Sequence, residues 1–236
     1  MAWTFDLTSL FEVEVAACHA APRIVDEQLF PEERLCIKSA VPKRRQEFGT
    51  ARLCARQSLA HLGIEPVAIA MNEDRSPAWP KGIVGSISHT QDRCGAVVAK
   101  STLALGLGLD LERDTELSRD LTRMICTPRE RSWLDRRSAA QRGGLAKVFF
   151  SAKESVYKCQ YAVTGKLLDF QAVDLTLDME AGTYRVDGTT AANAVWSVLM
   201  GIQGRVVRTQ GLIATGASLA QTGQSRIRAP GPVRGL

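Results

Sequence analysis

The sequence predicts an α+β fold, and three features predict it. Residues 103–112 alternate leucine with small or acidic residues, the period of a strand with one greasy face and one nearly bare face. Residues 43–61 and 145–162 instead carry apolar side chains at helical spacing. Hairpin signals and helical stretches fall in separate blocks, which favours antiparallel sheets with segregated helices over a doubly wound parallel sheet. Gly106-x-Gly108 lacks a third glycine and lies inside a strand, so it is not a dinucleotide-binding turn. With 236 residues, 45% of them hydrophobic, the chain has enough apolar mass for one large domain or two small ones.

Taken in order, the first strand is expected near residues 10–16. Pro31-Glu32-Glu33-Arg34 reads as the first turn of a short helix, with proline early and acids near the positive end. The helix over 43–61 closes at Gly63 and should bury Phe48, Ala51, Ala55, Leu59 and Leu62. A second face carries Arg45, Gly49, Arg52 and Arg56. Such a row is either a phosphate-binding ridge, with Gly49 leaving room for a ligand, or a solvated helix face. The turn-rich loop 72–77 places Arg75 at its far end. Strands over 83–88 and 95–99, joined by a polar turn, form a hairpin leading into 103–112. Ser88 and His89 stand where the first of these strands gives out, a position from which side chains reach ligands. Ser-Ile-Ser-His does not match the nucleophile elbow of hydrolases.

Beyond residue 112 the chain turns helical. Thr127-Pro128-Arg129-Glu130 is a capping box that starts a helix to about residue 137. Gly143-Gly144 is expected to break it, and a new helix follows to Gly165 with Leu145, Val148, Phe149, Ala152 and Val156 buried. Glu154 and Lys158 share another face at i and i+4, with Lys153 beside them; by itself that is the pattern of a surface ion pair. Strands are expected over 172–179, 183–186, 195–202 and 206–214. Two halves are hinted at, meeting near residues 100–106. The expected division is a lobe over 1–105, a lobe over 106–215 and a flexible basic tail over 216–236, which carries Arg226, Arg228 and Arg234 among Gly, Pro, Ser and Gln.

Six scattered cysteines form no C-x-x-C pair, which argues against zinc or a disulfide scaffold and for a reducing, cytoplasmic setting. No secretory signal is visible, and the longest apolar stretch, 191–202, falls short of a membrane span. A net charge of +5 favours polyanionic partners: nucleic acid, a phosphorylated cofactor or an acidic protein. The basic tail has no aromatics to stack on bases, so nucleic acid is the weakest of these. Asp110 and Glu112 point the same way from one strand. Two such carboxylates either hold a hard cation, magnesium above all, which brings substrate phosphates with it, or simply mark a solvated acidic strand end.

Three segments then bear on each other: Gly85-Ser86-Ile87-Ser88-His89, Gly108-Leu109-Asp110-Leu111-Glu112 and Phe150-Ser151-Ala152-Lys153-Glu154-Ser155-Val156-Tyr157-Lys158. In order and spacing the set resembles the signature of 4′-phosphopantetheinyl transferases. The match is to the larger two-lobed bacterial type and its siderophore-synthetase branch, enterobactin synthetase component D-like. Arg44-Arg45-Gln46-Glu47-Phe48 with Arg52, and Arg75-Ser76-Pro77-Ala78-Trp79-Pro80, extend it. The resemblance implies two pseudo-symmetric α/β lobes forming a pseudo-dimer, with coenzyme A in the cleft between them. It implies magnesium on Asp110, Glu112 and Glu154, and Ser88 and His89 on the coenzyme's phosphates. Arg45, Arg52 and Arg75 would surround the adenosine 3′-phosphate, and Lys153 and Lys158 would reach the pyrophosphate. Glu154 and Lys158 would carry the chemistry, moving phosphopantetheine to a serine of an apo acyl or peptidyl carrier protein and releasing 3′,5′-ADP. The implied protein is a cytoplasmic monomer of secondary metabolism that binds neither nucleic acid nor membrane. The family's tryptophan before Ser-x-Lys-Glu is Phe150 here, a change packing should tolerate. The rival readings are a magnesium-dependent phosphohydrolase and, behind it, a basic nucleic-acid-binding protein.

Overall fold

The computed structural model describes residues 5–190, 193–209 and 211–221. Its elements stack in four layers, helix on sheet on sheet on helix. The first sheet has three antiparallel strands, β1 (Ala16–Ala20), β2 (Ile83–His89) and β3 (Cys94–Lys100), in the order β1-β3-β2. The short helix α1 (Pro31–Cys36) precedes α2 (Pro42–His61), which covers the outer face of this sheet. Alternate residues of β3 serve two layers: Ala96 and Val98 meet Cys54, Ala55 and Leu59 of α2, while Val97 and Ala99 face inward.

The second sheet runs β4-β8-β7-β6-β5, all antiparallel, from β4 (Ala104–Arg113), β5 (Val173–Asp178), β6 (Thr183–Thr189), β7 (Gln203–Thr209) and β8 (Leu212–Ala220). Two small helices, α3 (Arg119–Ile125) and α4 (Pro128–Asp135), lead into α5 (Ala139–Thr164), and α6 (Asn193–Met200) lies beside it. This is the α+β architecture read from the sequence.

Strand β4 joins the two halves. Its greasy face, Leu107, Leu109 and Leu111, packs against Val97, Ala99, Leu7 and Leu10 between the sheets. One edge pairs with β8. On the other edge the Leu109 and Leu111 N–H groups donate to the Ser86 and Ser88 hydroxyls of β2 at 2.9 and 3.0 Å, so a buried edge carries no orphan donor there. The bare face admits α5. A Cβ on Gly108 would overlap the Ser155 carbonyl oxygen, and one on Gly106 the Cys159 carbonyl oxygen, so helix backbone rests directly on strand backbone. Gly108→Ala is expected to destabilise the protein by about 3 kcal/mol, the upper range of overpacking, because no flexible side chain is there to yield. Denaturant midpoints test this, and an unchanged midpoint would mean that the layers separate freely.

The halves repeat one device. In each, a helix opens with proline and its third residue is a buried glutamate. Glu33 accepts from Phe30 N (3.0 Å), Ile69 N (2.9 Å) and Arg56 of α2 (2.6 Å). Glu130 accepts from Thr127 N (2.8 Å) and Leu175 N (2.8 Å), and Lys153 of α5 stands 2.8 Å away. Each cation follows its glutamate by 23 residues. This is the pseudo-symmetry of the two lobes at the level of single side chains.

Several expectations need correcting. The first strand starts at Ala16, behind a 3-10 turn at Leu7–Leu10. Gly143 and Gly144 do not break α5; a Cβ at either would lie 2.8 Å from Glu116 or 2.7 Å from the Arg208 guanidinium, so they admit close neighbours within a continuous helix. Residues 195–202, read as a strand, lie mostly in α6, because a short apolar run has no periodicity to separate the two forms. The strand over 206–214 is really a reversal between β7 and β8, with Gly211 at φ +76°. The tail does not begin at residue 216: β8 continues to Ala220, with Ala217 fully buried. Residues 222–236 lie outside the described residues.

Candidate active site

The site forms where β4 meets α5 beneath the end of β2. Asp110, 4% exposed, leaves the bare face of β4 next to α5. Its Oδ1 accepts from Lys158 Nζ at 2.7 Å and from Ser88 Oγ at 3.2 Å, and its Oδ2 accepts from Ser151 Oγ at 2.9 Å. Glu112, two residues on, pairs with Lys147 at 2.7 Å. Lys147, Ser151, Glu154 and Lys158 fall at i, i+4, i+7 and i+11, so one stripe of α5 faces both carboxylates. Lys158 also donates to the Leu109 carbonyl at 3.1 Å.

Glu154 makes no hydrogen bond or ion pair among the described residues, and Lys158, its expected partner, is taken by Asp110. Burial pushes the Glu154 carboxyl up from its ordinary value; Lys158 opposes the shift, and the negative charges of Asp110 and Glu112 add to it. Burial likewise raises Glu112, with Lys147 opposing and Asp110 reinforcing. The three acids thus share one field. Among the described residues no three His, Cys, Asp or Glu side chains are grouped closely enough to hold a metal ion as they stand. In donor chemistry Asp110, Glu112 and Glu154 fit a hard divalent cation, since all three are carboxylates.

The first lobe supplies Arg44 and His89 from above. His89 Nε2 lies 2.8 Å from Arg44 Nη1, and its Nδ1 lies 3.6 Å from Glu47. An arginine has no acceptor, so Nε2 accepts and the ring proton sits on Nδ1. Burial lowers the His89 pKa; Glu47 opposes, while Arg44 and Lys158 reinforce. Arg75 belongs to a loop tied to α5 by the Tyr161 hydroxyl, which donates to Asp74 at 2.9 Å. It stands at φ +70° and makes no side-chain hydrogen bond or ion pair among the described residues. Beside Glu154 opens a cavity of about 230 Å³ lined by Tyr157, Leu167, Leu168, Phe170 and Val173.

Four sequence candidates have other work. Arg52 is buried, donates to the Ile69 carbonyl at 2.6 Å, and stacks on Phe48; burial lowers its pKa to about 10. Lys153 is buried against Glu130 and the Ile125 and Phe170 carbonyls. Arg45 is held by Asp26 at 2.6 Å. The Ser88 hydroxyl, in a residue 6% exposed, is committed to Leu111 N and Asp110. The arginine ridge is covered as well: the space over Gly49 is filled by Val25, 2.6 Å from where a Cβ would be, and by Leu29. Arg44, Lys147 and Ser151 escaped the sequence reading, although the helical stripe 147, 151, 154, 158 was there to be read. Phe150, in place of the family's tryptophan, packs on Phe170 with centroids 5.8 Å apart.

Comparison with known proteins agrees with this geometry. Residues 31–99 match the model of the 4′-phosphopantetheinyl transferase N-terminal domain, and residues 106–209 that of the 4′-phosphopantetheinyl transferase superfamily. The chain is similar to 4′-phosphopantetheinyl transferase Svp of Streptomyces mobaraensis, with 40% identity over 81% of this chain and 79% of that one. It is 32% identical to 4′-phosphopantetheinyl transferase PptT of Mycobacterium tuberculosis over 78% and 83% of the two chains. Enterobactin synthase component D of Escherichia coli is 34% identical over 58% and 65%. With two family models matching in chain order, one over each lobe, and relatives aligned over most of their length, the chain belongs to the 4′-phosphopantetheinyl transferase superfamily.

Proposed function

We propose that this chain transfers the 4′-phosphopantetheine group of coenzyme A to a serine hydroxyl of an apo acyl or peptidyl carrier protein, releasing 3′,5′-ADP. The observation that carries this reading is the meeting of Asp110 and Glu112 with Glu154 and Lys158 under Arg44 and His89. Asp110, Glu112 and Glu154 would hold magnesium, which when bound supplies positive charge to the pyrophosphate oxygens. Arg44 and His89 lie on the side from which phosphates would enter, with Arg75 and Arg45 further out. Glu154 is the proton acceptor for the attacking serine, since its side chain lacks a hydrogen-bonding partner among the described residues. Lys158 places an ammonium beside Asp110, where charge develops on the leaving phosphate. The cavity beside Glu154 offers the pantetheine arm an apolar wall.

The lobes are proposed to lie near 1–105 and 106–221, both sides of the cleft coming from one chain, so a monomer is functional. No helix among the described residues is long and apolar enough to cross a membrane; with six free thiols, a cytoplasmic setting is proposed. The net charge of +5 suits an acidic carrier.

Intact-mass spectrometry of an apo carrier protein incubated with the chain, coenzyme A and magnesium tests the reading. A gain of one phosphopantetheine arm that EDTA abolishes is the expected result, and no gain across acyl and peptidyl carriers removes the reading. Arg44→Ala is expected to raise KM for coenzyme A about 10- to 100-fold, the ~1.5–3 kcal/mol of a hydrogen bond to a charged group. Arg45→Ala should do much less, because Asp26 already holds that guanidinium. Equal effects would place the coenzyme on the Arg45 side of α2.

A further inference from the structure

Beneath Asp110 lies a row of hydroxyls that the transfer chemistry does not itself use. Thr215 of β8 stands opposite Asp110 in the pairing of β4 with β8, and Ser151 and Ser155 come from α5. All three are 0% exposed. Ser151 Oγ lies 2.9 Å from Asp110 Oδ2, Thr215 Oγ1 lies 3.0 Å from Ser151 Oγ, and Ser155 Oγ lies 2.7 Å from Thr215 Oγ1. Val148, Phe149, Ala152 and Val156 of the same helix are buried and apolar. Burying hydroxyls at such a contact is unfavourable unless each finds a partner.

The first donor of the row follows from counting protons. A hydroxyl has one proton to give and an ionised carboxylate only accepts. Ser151 therefore donates to Asp110, and the single protons of Thr215 and Ser155 are shared with backbone: Thr215 Oγ1 meets both Ser151 Oγ and the Ser151 carbonyl, and Ser155 Oγ meets both Thr215 Oγ1 and the Thr215 carbonyl. The Ser151 O–H dipole points its positive end at one carboxylate oxygen, with the Thr215 and Ser155 hydroxyls packed behind it. The same hydroxyls touch backbone: Thr215 Oγ1 is 2.9 Å from the Ser151 carbonyl and Ser155 Oγ 3.0 Å from the Thr215 carbonyl, which ties α5 to β8 where the row passes. Asp110 Oδ2 is thereby fixed, while Oδ1 faces Lys158 and Ser88.

We propose that Ser151 and Thr215 are positioning residues that hold the Asp110 carboxylate in its cation-binding orientation and so set the affinity of the site for a divalent metal. The proposal rests on the reading of Asp110 as a metal-binding residue. Neither hydroxyl touches coenzyme or carrier in this scheme; both act through Asp110. Groups that orient a metal-binding side chain typically change metal affinity about 10- to 100-fold when removed.

The test is calorimetric titration of manganese into the metal-free full chain, beside melting curves of the same samples. The variants are Asp110→Asn, Ser151→Ala, Thr215→Val and Thr215→Ser. Binding is expected in the wild type and absent in Asp110→Asn. Ser151→Ala should bind about 10- to 100-fold more weakly. Thr215→Val, which keeps the side-chain shape, should weaken binding by a smaller factor, and Thr215→Ser, which keeps the hydroxyl, should restore it. A role confined to packing would lower the melting temperature and leave affinity alone. If Ser151→Ala does not fold, the Thr215→Val and Thr215→Ser pair decides. Wild-type affinity in both Ser151→Ala and Thr215→Val, with Asp110→Asn unable to bind, overturns the proposal while the metal reading stands. A wild type that takes up no manganese overturns both.

Discussion

Glu154→Gln is expected to cut phosphopantetheine transfer by about 10²- to 10⁴-fold, the range for losing a positioned acid or base, while raising the melting temperature of the metal-free protein. The two effects have one cause. Glu154 is partly buried and faces Asp110 and Glu112 with no hydrogen-bonding partner, so its ionised form is disfavoured in the folded state and its pKa is raised. A carboxyl raised on folding makes the folded state less stable wherever the group is ionised. That penalty is complete above the folded pKa and vanishes below the unfolded value. The amide removes it, so Glu154→Gln should outlast the wild type at neutral pH, and the advantage should fade as pH falls into the ordinary carboxylate range. Divalent cation should stabilise the wild type more than the variant, since it relieves a repulsion the variant has already lost. Mass-resolved transfer assays and melting curves with and without magnesium measure both effects. Wild-type turnover by Glu154→Gln would remove Glu154 from the mechanism, and an unchanged melting temperature would show that Lys158 already neutralises the cluster.

Lys153→Met is expected to cost about 3–5 kcal/mol of stability with coenzyme A affinity unchanged in the protein that remains folded. The resemblance implied Lys153 at the pyrophosphate; the structure turns it into a buried pair with Glu130, 2.8 Å away. Burial raises the Glu130 carboxyl, and Lys153 is the largest influence opposing that rise, so removing the lysine leaves a buried charge with only the Thr127 and Leu175 N–H groups. Replacing both partners, Glu130→Gln with Lys153→Met, should recover a large part of the loss, because the unpaired charge rather than the missing attraction is what destabilises. Urea midpoints of the single and double variants separate these terms. A Lys153→Met protein of wild-type stability with weakened coenzyme binding would return the residue to the cleft.

Lys153 and Glu154 show where sequence reading ends. They are neighbours in a motif, and a helix turns about 100° between them, so Glu154 faces Asp110 and Glu112 while Lys153 is turned into Glu130. The motif says that both matter but not on which side each is used. The arginines of α2 teach the same lesson. Arg45, Arg52 and Arg56 do share a face, as the spacing predicted, but the chain between Arg23 and Ile37 folds over it and holds Arg45 and Arg56 with Asp26 and Glu33, while the Ile69 carbonyl takes Arg52. Arg44, one position around the helix, is the residue that reaches His89.

Local pattern determined a great deal: the α+β class, the hairpin of β2 and β3, helices α1, α2 and α4, the paired carboxylates of β4 and the family to which the motifs belong. These depend on periodicity, capping and spacing within about twenty residues, all of which one strand or helix expresses alone. Tertiary structure alone decided what each face meets. It turned the bare face of β4 toward a helix, made a hairpin of one expected strand and a helix of another, and committed Ser88, Arg45, Arg52 and Lys153 to structural contacts. It also brought Ser151 and Thr215, 64 residues apart, under Asp110. A side chain's chemistry belongs to the sequence, but whether its protons and charges remain available depends on which distant groups pack against it.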